Sequence, residues 1–529
     1  MTKAYGIDLG TTYSAIAHIN ELGLPEILEN DLGDDTTPSV VLFEDADSYV
    51  VGQEAKNELK LRPTQTIELI KRHMGEDFPL TINGVRHTPE SISALILKEL
   101  VTNANEFTGE DIKDVVITVP AYFGVEARKA TQDAGRIAGL NVLSLIAEPT
   151  AAALSAGLRD GADKTILVYD LGGGTFDCTV MEIKQDEITV LASDGDRSLG
   201  GADWDNELFD LAVMSFSSQN VLDDDPTYDD VFVQNLRSEV EKAKISLTRK
   251  QRAKIPCSYG SFSSVVEVTR PDFEADTSSL VEQTLRVVDR TLAKAREKRP
   301  NLQVDQYLLV GGSSRMPMIS QALEQKYGWE LTRTEFDLAV AKGAAIYAQG
   351  IDKEAAPEPD ASGPTPGSNI SMLGANGEQK QMRITDVLPK AVGVQFWDTK
   401  KNEPYIDHIL PAGTELPARG TTRGLCINDN TTHLMFHIFE QAGEVPSRAV
   451  EANKRISPEE GAILDNLPNL PKGSPVDLIL SVSRDGIITL EGSEPTSGRH
   501  FTLQAQISTL SDTDVAAYSQ LVQGMLRSE

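Results

Sequence analysis

Two short runs constrain the fold most: Asp8-Leu9-Gly10-Thr11-Thr12 and Asp170-Leu171-Gly172-Gly173-Gly174-Thr175-Phe176-Asp177. Each ends an apolar strand with an aspartate and a turn of small residues. β-rich segments flank both, Ala4 to Ile7 and Ser14 to Ile19 around the first, Thr165 to Tyr169 and Cys178 to Ile183 around the second. Each therefore reads as a β-hairpin whose turn lets a ligand approach the backbone closely. Glycine leaves amides open to anionic oxygens, threonine adds a hydroxyl donor, and aspartate supplies a hard oxygen suited to Mg²⁺. One such turn alone is an ordinary hairpin. Two of them in separate halves, with a third turn at Gly311-Gly312-Ser313-Ser314-Arg315, predict duplicated modules around a phosphate-binding cleft. No Gly-x-x-x-x-Gly-Lys-Ser/Thr run exists, and no Gly-x-Gly-x-x-Gly fingerprint follows a strand and opens a helix, so P-loop and Rossmann readings lose support.

A chain of 529 residues is too long for one core and suggests about three domains. Its 80 acidic against 49 basic side chains give a net charge of −31, which disfavours nucleic acid and anionic membranes as partners. The three cysteines, Cys178, Cys257 and Cys426, are too scattered for a zinc knuckle or a disulfide framework and fit a reducing compartment. The first residues lack a basic-then-apolar leader, and no apolar run reaches membrane-spanning length. A soluble, cytoplasmic protein is expected.

Residues 1–350 alternate strands with helices, the helices expected at Ser91 to Asn105, Val125 to Ala138, Pro149 to Ser155, Val233 to Ser246 and Asp337 to Ala348. Residues 351–385 read as a flexible interdomain linker, because Lys353 to Gly377 loses apolar periodicity and fills with Pro, Gly, Ser, Ala and Glu. Residues 386–508 show short β-like runs at Ala391 to Trp397, Thr421 to Ile427, His433 to Glu440, Val476 to Ser483, Gly486 to Leu490 and His500 to Gln506, the pattern of a β-sandwich. Residues 509–529 hold one short helix with Val515, Tyr518, Leu521, Val522 and Leu526 at helical spacing. His73, His87 and the pair His433/His437 read as core or surface histidines rather than metal ligands.

Seven motifs occur in order: "GIDLGTTYS" at Gly6 to Ser14, "ITVPAYF" at Ile117 to Phe123, "DAGRIAGL" at Asp133 to Leu140, "EPTAAAL" at Glu148 to Leu154, "YDLGGGTFD" at Tyr169 to Asp177, "LGGADWD" at Leu199 to Asp205 and "LVGGSSRMP" at Leu309 to Pro317. This series resembles the nucleotide-binding domain of DnaK-type seventy-kilodalton heat-shock chaperones. The resemblance implies an α/β actin-like (ribonuclease-H-like, duplicated) ATPase domain with two lobes about a cleft, followed by an all-β sandwich that grips extended apolar polypeptide. It implies an Mg²⁺-dependent ATP hydrolysis yielding ADP and phosphate. Carried over residue by residue, nucleotide contacts fall on Gly10, Thr11, Thr12, Tyr13, Gly173, Gly174 and Thr175, with the adenosine side on Glu241, Lys244, Thr248, Gly312 and Arg315. Lys71 matches the lysine facing the γ-phosphate, and Asp8, Asp170, Glu148 and Asp177 match the carboxylates, Asp8 and Asp170 ordering the water shell of Mg²⁺. Pro120 and Arg128 match an interdomain switch, and Val394 and Trp397, with Phe396, align near the peptide-gripping strand.

The chain departs from that pattern at five places. Ile245 stands where a second adenine-stacking arginine is usual, leaving Arg315 alone. "QMRIT", Gln381 to Thr385, replaces an apolar linker before "DVLPKAVGV". Ser144 and Ala147 replace residues that help dock a J-domain cochaperone, one expected partner beside a nucleotide-exchange factor. The short tail stands where the family has a helical lid, and Arg197 replaces a polar residue before "LGG". A lidless, divergent chaperone is the leading expectation. The alternatives are a switch dedicated to one partner, a sugar or small-molecule kinase, and a filament-forming protein of the same architecture.

Overall fold

The computed structural model describes residues 3–528 except 158–162, 185–186, 223, 334–337, 352–367, 374–378, 444, 458–460, 484–485, 496 and 505–509. Two mixed sheets share one strand order. In the first, Asn141–Ala147, Asp114–Val119, Tyr5–Asp8, Tyr13–Ile19 and Pro25–Leu28 lie side by side. In the second, Leu331–Arg333, Gln306–Val310, Lys164–Leu171, Phe176–Lys184 and Glu187–Asp196 do the same. In both, the strand that ends in a predicted phosphate loop is central, antiparallel to its hairpin partner and parallel to the strand on its other side. That parallel neighbour demands a crossover through helix, which is why each half is α/β.

The halves meet through small residues. The Ala-rich helix Ala339–Gly350 lies against Tyr5–Asp8 and against the helix Glu148–Gly157. A Cβ on Gly343 would stand 1.7 Å from the carbonyl oxygen of Ala151, so only glycine permits this approach. Separate apolar cores then fill each half.

The expected helices are present: Pro89–Thr108, Glu148–Gly157 and Asp230–Leu247 run longer than read, and Val125–Ile137 ends one residue earlier. The helix expected from Asp337 runs over Ala339–Gly350, Asp337 itself lying outside the described residues. Helices at Gly201–Gln219, Ser278–Lys298 and Pro317–Tyr327 were not read from the sequence.

The linker reading needs correction. Much of 351–385 lies outside the described residues, but Ser368–Leu373 and Gln379–Thr385 form an antiparallel pair of strands. Gln379–Thr385 joins the second sheet parallel to Glu187–Asp196, with Ile384 opposite Ile188. The cause is a two-residue alternation hidden in a polar segment: Met382 and Ile384 are buried while Gln381 is exposed.

From Asp386 the chain is β-rich. Glu403–Leu410, Val392–Asp398, Ile438–Gln441 and Asn453–Arg455 form one four-stranded sheet, and Ala418–Leu425, Pro475–Val482, Ile488–Glu494 and Arg499–Gln504 another. Pro475–Val482 alternates buried and half-buried residues strictly, so its inner face joins Val392, Val394, Ile438 and Leu490 in one core. The run read as continuous over His433 to Glu440 breaks at His437 into Leu434–Phe436 and Ile438–Gln441. The end of the His500 to Gln506 run lies outside the described residues.

The terminal helix is Asp512–Gly524, capped by Ser511 in a capping box with Asp514. It packs on the first half, where Val515, Val522 and Met525 enter the same core as Ile92 and Leu95. Leu526–Arg527 then pairs parallel with Ser48–Val51.

Candidate functional site

Hairpin register brings the acidic residues together. Asp170 and Asp177 are direct cross-strand partners, so their side chains share one face at the end of the hairpin. The first loop meets the second there. A Cβ on Gly173 would lie 2.3 Å from Thr12 Oγ1, and one on Gly174 would lie 2.3 Å from Thr11 Cγ2. Thr11 and Thr175 are both buried at this junction. Asp8, at the end of its strand, accepts a hydrogen bond from the Thr118 hydroxyl at 2.8 Å. Gly10 donates its amide to Ser14 Oγ and accepts from Ser39 Oγ.

Lys71 enters from a single 3₁₀ turn, Ile70–His73, preceded by Leu69 in the left-handed region at φ 57°. Its Nζ lies 2.6 Å from Glu148 Oε1, with 5% of the lysine and 11% of the glutamate side chain exposed. Glu148 opens the helix Glu148–Gly157, where helix-start amides favour a negative side chain. Asp177 is 2% exposed and neither of its carboxylate oxygens has a hydrogen-bond partner of normal geometry. Burial, then the charges of Glu148 and Asp170, hold its carboxyl well above the usual range, and Lys71 offsets only part of this. Burial, then the charges of Asp177 and Glu148, raise the Tyr122 phenol beside it. The site thus gathers more buried carboxyl groups than cations beside the two glycine loops.

On the second half, Lys244 donates to the Gly201 carbonyl at 2.8 Å and pairs with Asp205. A Cβ on Gly201 would meet Ser313 Oγ at 2.3 Å, which places the 3₁₀ turn Gly312–Arg315 beside Lys244 and Gly173. Glu241 pairs with Lys56 of the first half at 2.8 Å, and Lys56 also donates to the Tyr13 hydroxyl at 3.0 Å. Thr248 is not drawn into this group: its hydroxyl donates to the Ile245 carbonyl and closes its own helix. Ile245 and Arg315 lie exposed on their elements.

Sequence reasoning missed Lys56, Arg72 and Tyr122. Arg72 donates from Nε to the Gly174 carbonyl at 2.8 Å and from Nη2 to Asp203 at 2.9 Å, joining the halves beside Lys71. The Lys-Arg doublet was its only local signal. Arg197, a departure without a role in the sequence, pairs across the halves with Glu76.

Arg128 is 3% exposed, donates to the Phe123 carbonyl and pairs with Asp386 at 3.4 Å, while the Pro120 carbonyl accepts from the Phe123 amide. Ser144 is half-buried, its hydroxyl donating to the Leu145 carbonyl, and Ala147 is buried. Val394 is fully enclosed in the β-rich core and offers a peptide no surface, which corrects its reading as a gripping residue; Trp397 is 43% exposed.

Among the described residues, no three His, Cys, Asp or Glu side chains converge tightly enough to ligate a metal directly, and no described helix is long and apolar enough to cross a membrane. The orphaned, buried Asp177 and its acidic neighbours do fit a cation held largely through water, as Mg²⁺ commonly is.

The family model described as "Hsp70 protein" matches residues 4–525. This chain belongs to the Hsp70 family. The "Chaperone protein DnaK" of Halobacterium salinarum is 34% identical over 505 residues, covering 94% of this chain and 74% of that protein. The protein of the same name from Thermosipho melanesiensis is 35% identical over 508 residues, 94% of this chain and 79% of the relative. That of Thermotoga maritima is 35% identical over 504 residues, 93% and 78% of the two chains. As an Hsp70, the protein is an ATPase and an ATP-dependent chaperone. The comparisons do not favour the dedicated-switch, kinase or filament alternatives.

Proposed function

We propose that ATP is hydrolysed at the junction of the two glycine loops and that the β-rich region, folded as a sandwich beside an actin-like, duplicated ATPase domain, binds extended apolar polypeptide. The observation that carries this reading is the buried Lys71–Glu148 pair beside the unpartnered Asp177. The amides of Thr11, Thr12, Gly173, Gly174 and Thr175 receive the phosphates, with Tyr13 and Gly10, whose amide is held by Ser14 Oγ, at the same turn. Lys71 offsets charge on the transferring phosphoryl group, and Glu148 and Thr175 orient the attacking water. Asp177, whose carboxyl burial holds above the usual range, accepts a proton from that water. Asp8 and Asp170 would hold Mg²⁺ through water, and the ion would supply charge neutralisation for the phosphates. Glu241, Lys244, Gly312 and Arg315 form the adenosine side, with Thr248 at the end of the same helix as Lys244. Arg128, with Pro120, joins this site to the β-rich region through Asp386. Peptide is gripped around Trp397, in the cytoplasm. A J-domain cochaperone, whose usual docking residues are replaced here by Ser144 and Ala147, and a nucleotide-exchange factor are the further partners of this reading.

Single-turnover hydrolysis by the full chain and by Lys71→Ala, each with and without a short extended Leu-rich peptide, tests this. The peptide is expected to accelerate the wild-type rate. Lys71→Ala is expected to lose on the order of 10²–10³ in rate, as removal of one preorganised donor typically does. A Lys71→Ala rate within twofold of wild type would refute the assignment.

A further inference from the structure

The adenosine corner is built from the last turns of the helix Asp230–Leu247 and the 3₁₀ turn Gly312–Arg315. A nucleobase can be held there by its flat face or by hydrogen bonds to its edge. Only the edge separates adenine from guanine, because every base offers a similar face. The polar side chains of this corner are already engaged. Glu241 pairs with Lys56 at 2.8 Å, Lys244 with the Gly201 carbonyl and Asp205, and the Thr248 hydroxyl with the Ile245 carbonyl at 2.7 Å. Asp205 keeps one oxygen without a partner, but that oxygen is buried. The backbone is closed as well. The Ile245 and Ser246 carbonyls accept from the Thr248, Arg249 and Lys250 amides, and the Leu247 carbonyl accepts from Arg270 Nε at 2.7 Å. In the neighbouring turn the Gly311 carbonyl accepts from the Ser314 amide, and the Ser314 hydroxyl donates to the Val310 carbonyl.

What the corner turns outward is Ile245, 56% exposed and next to Lys244, and the exposed Arg315. Isoleucine carries no donor or acceptor and can meet a base only by its face. Arg315 can only donate, and adenine and guanine both present the N7 acceptor to a donor. A site that hydrogen-bonds a distinguishing group rejects its analogue by about 10⁴–10⁵, whereas an apolar contact separates ligands by roughly 10–200-fold at most. We propose that Ile245 gives this site a relaxed base specificity, so that it takes purine nucleoside triphosphates as a class, GTP as well as ATP. The glycine loops select the triphosphate, and the base is held by its face. This names the substrate class of the site proposed above and rests on that reading.

The test is hydrolysis of ATP and of GTP by the full chain, with kcat and KM measured for wild type, Ile245→Ala and Lys71→Ala. Wild type is expected to use the two nucleotides with kcat/KM within about tenfold of each other, and a larger preference for either would overturn the proposal. Ile245→Ala truncates an exposed side chain and leaves the core intact. It should raise KM for both nucleotides by about three- to tenfold, the scale of one buried methylene, without changing the ratio between them. A KM that does not move, or moves for one nucleotide alone, would overturn the role of Ile245. GTP hydrolysis should fall together with ATP hydrolysis in Lys71→Ala; GTP turnover that survives there while ATP turnover is lost belongs to another site and would also overturn the proposal. Wild type that hydrolyses neither nucleotide, or Lys71→Ala that hydrolyses ATP as wild type does, would instead sink the site reading on which the proposal rests.

Discussion

Arg527, near the end of the chain, offers a sharp test of how the tail is held. Its guanidinium pairs with Glu99 at 2.8 Å, Asp31 at 3.2 Å and Glu106 at 3.4 Å, and donates to Asn103 at 3.0 Å. Glu99 is 4% exposed on its side chain and Arg527 28%. The other Glu99 oxygen, Oε2, has no hydrogen-bond partner. Breaking a fully buried pair costs roughly 3–5 kcal/mol; with the arginine partly in water, about 2 kcal/mol is expected for Arg527→Ala. Local opening of the tail should then rise about 30-fold. Hydrogen exchange reads this at the Leu526 and Ser528 amides, which bond to the carbonyls of Asp47 and Tyr49. The pH dependence has a definite sign. Burial raises the Glu99 carboxyl above its ordinary value, and Arg527 is the main group opposing this. Without Arg527 the docked value rises further, so the docked tail binds a proton more readily than the open one. The penalty is therefore largest above the docked value and shrinks as pH falls through it. Protection changed by less than threefold, or a penalty that grows on acidification, would refute the reasoning.

Glu440 is buried where the β-rich region meets Val125, and burial raises its carboxyl while Lys390, the Val125 amide, Lys454 and Arg197 oppose the rise. Docking should strengthen as pH falls and weaken as it rises; Glu440→Gln should flatten that dependence in Val125 amide exchange measured at about pH 6 and about pH 8, and an unchanged slope would contradict it. Gly343→Ala drives a methyl onto the Ala151 carbonyl and should cost about 3 kcal/mol, lowering Tm by roughly 5 °C or more. A melting point within about 1 °C of the parent would count against that packing.

What was legible in the sequence was local. The hairpins around Asp8 and Asp170 could be read because register follows from a short turn between apolar strands. The pairing of Lys71 with Glu148 could not be read from spacing, because it forms only when a 3₁₀ turn and a distant helix start converge; the resemblance alone supplied both residues. The helix Ser278–Lys298 escaped notice because its buried stripe includes Thr284, Thr291 and Ala295 among the aliphatics, which weakens the apolar signal. The strand Gln379–Thr385 was hidden by its composition, although Met382 and Ile384 carried the period of two. For the tail the reverse holds. Its apolar spacing was evident, but its partner was not, since nothing in the segment specifies the face formed around Ile92 and Leu95.

The placement of these two ends bears on how the β-rich region can move. Its beginning is tied without slack: Thr385 is hydrogen-bonded into the second sheet, and the next residue, Asp386, pairs with Arg128 of the first half. Its end returns to the first half through the helix Asp512–Gly524 and the strand pairing at Leu526. Between these ends, Lys298 of the second half holds the Gly413 carbonyl at 2.9 Å, and Lys454 holds Gly75 of the first at 3.1 Å. A displacement of the β-rich region away from the α/β halves must therefore break a strand pairing on one half, a buried helix face on the other, or the polar contacts between them. The polar contacts are the weakest of the three, since each exchanges for water at about 1–3 kcal/mol, whereas the helix face buries Val515, Val522 and Met525 together. Motion should begin at Lys298, Lys454, Glu440 and Arg128 and leave both ends attached, so that the region pivots between its tethers rather than separating.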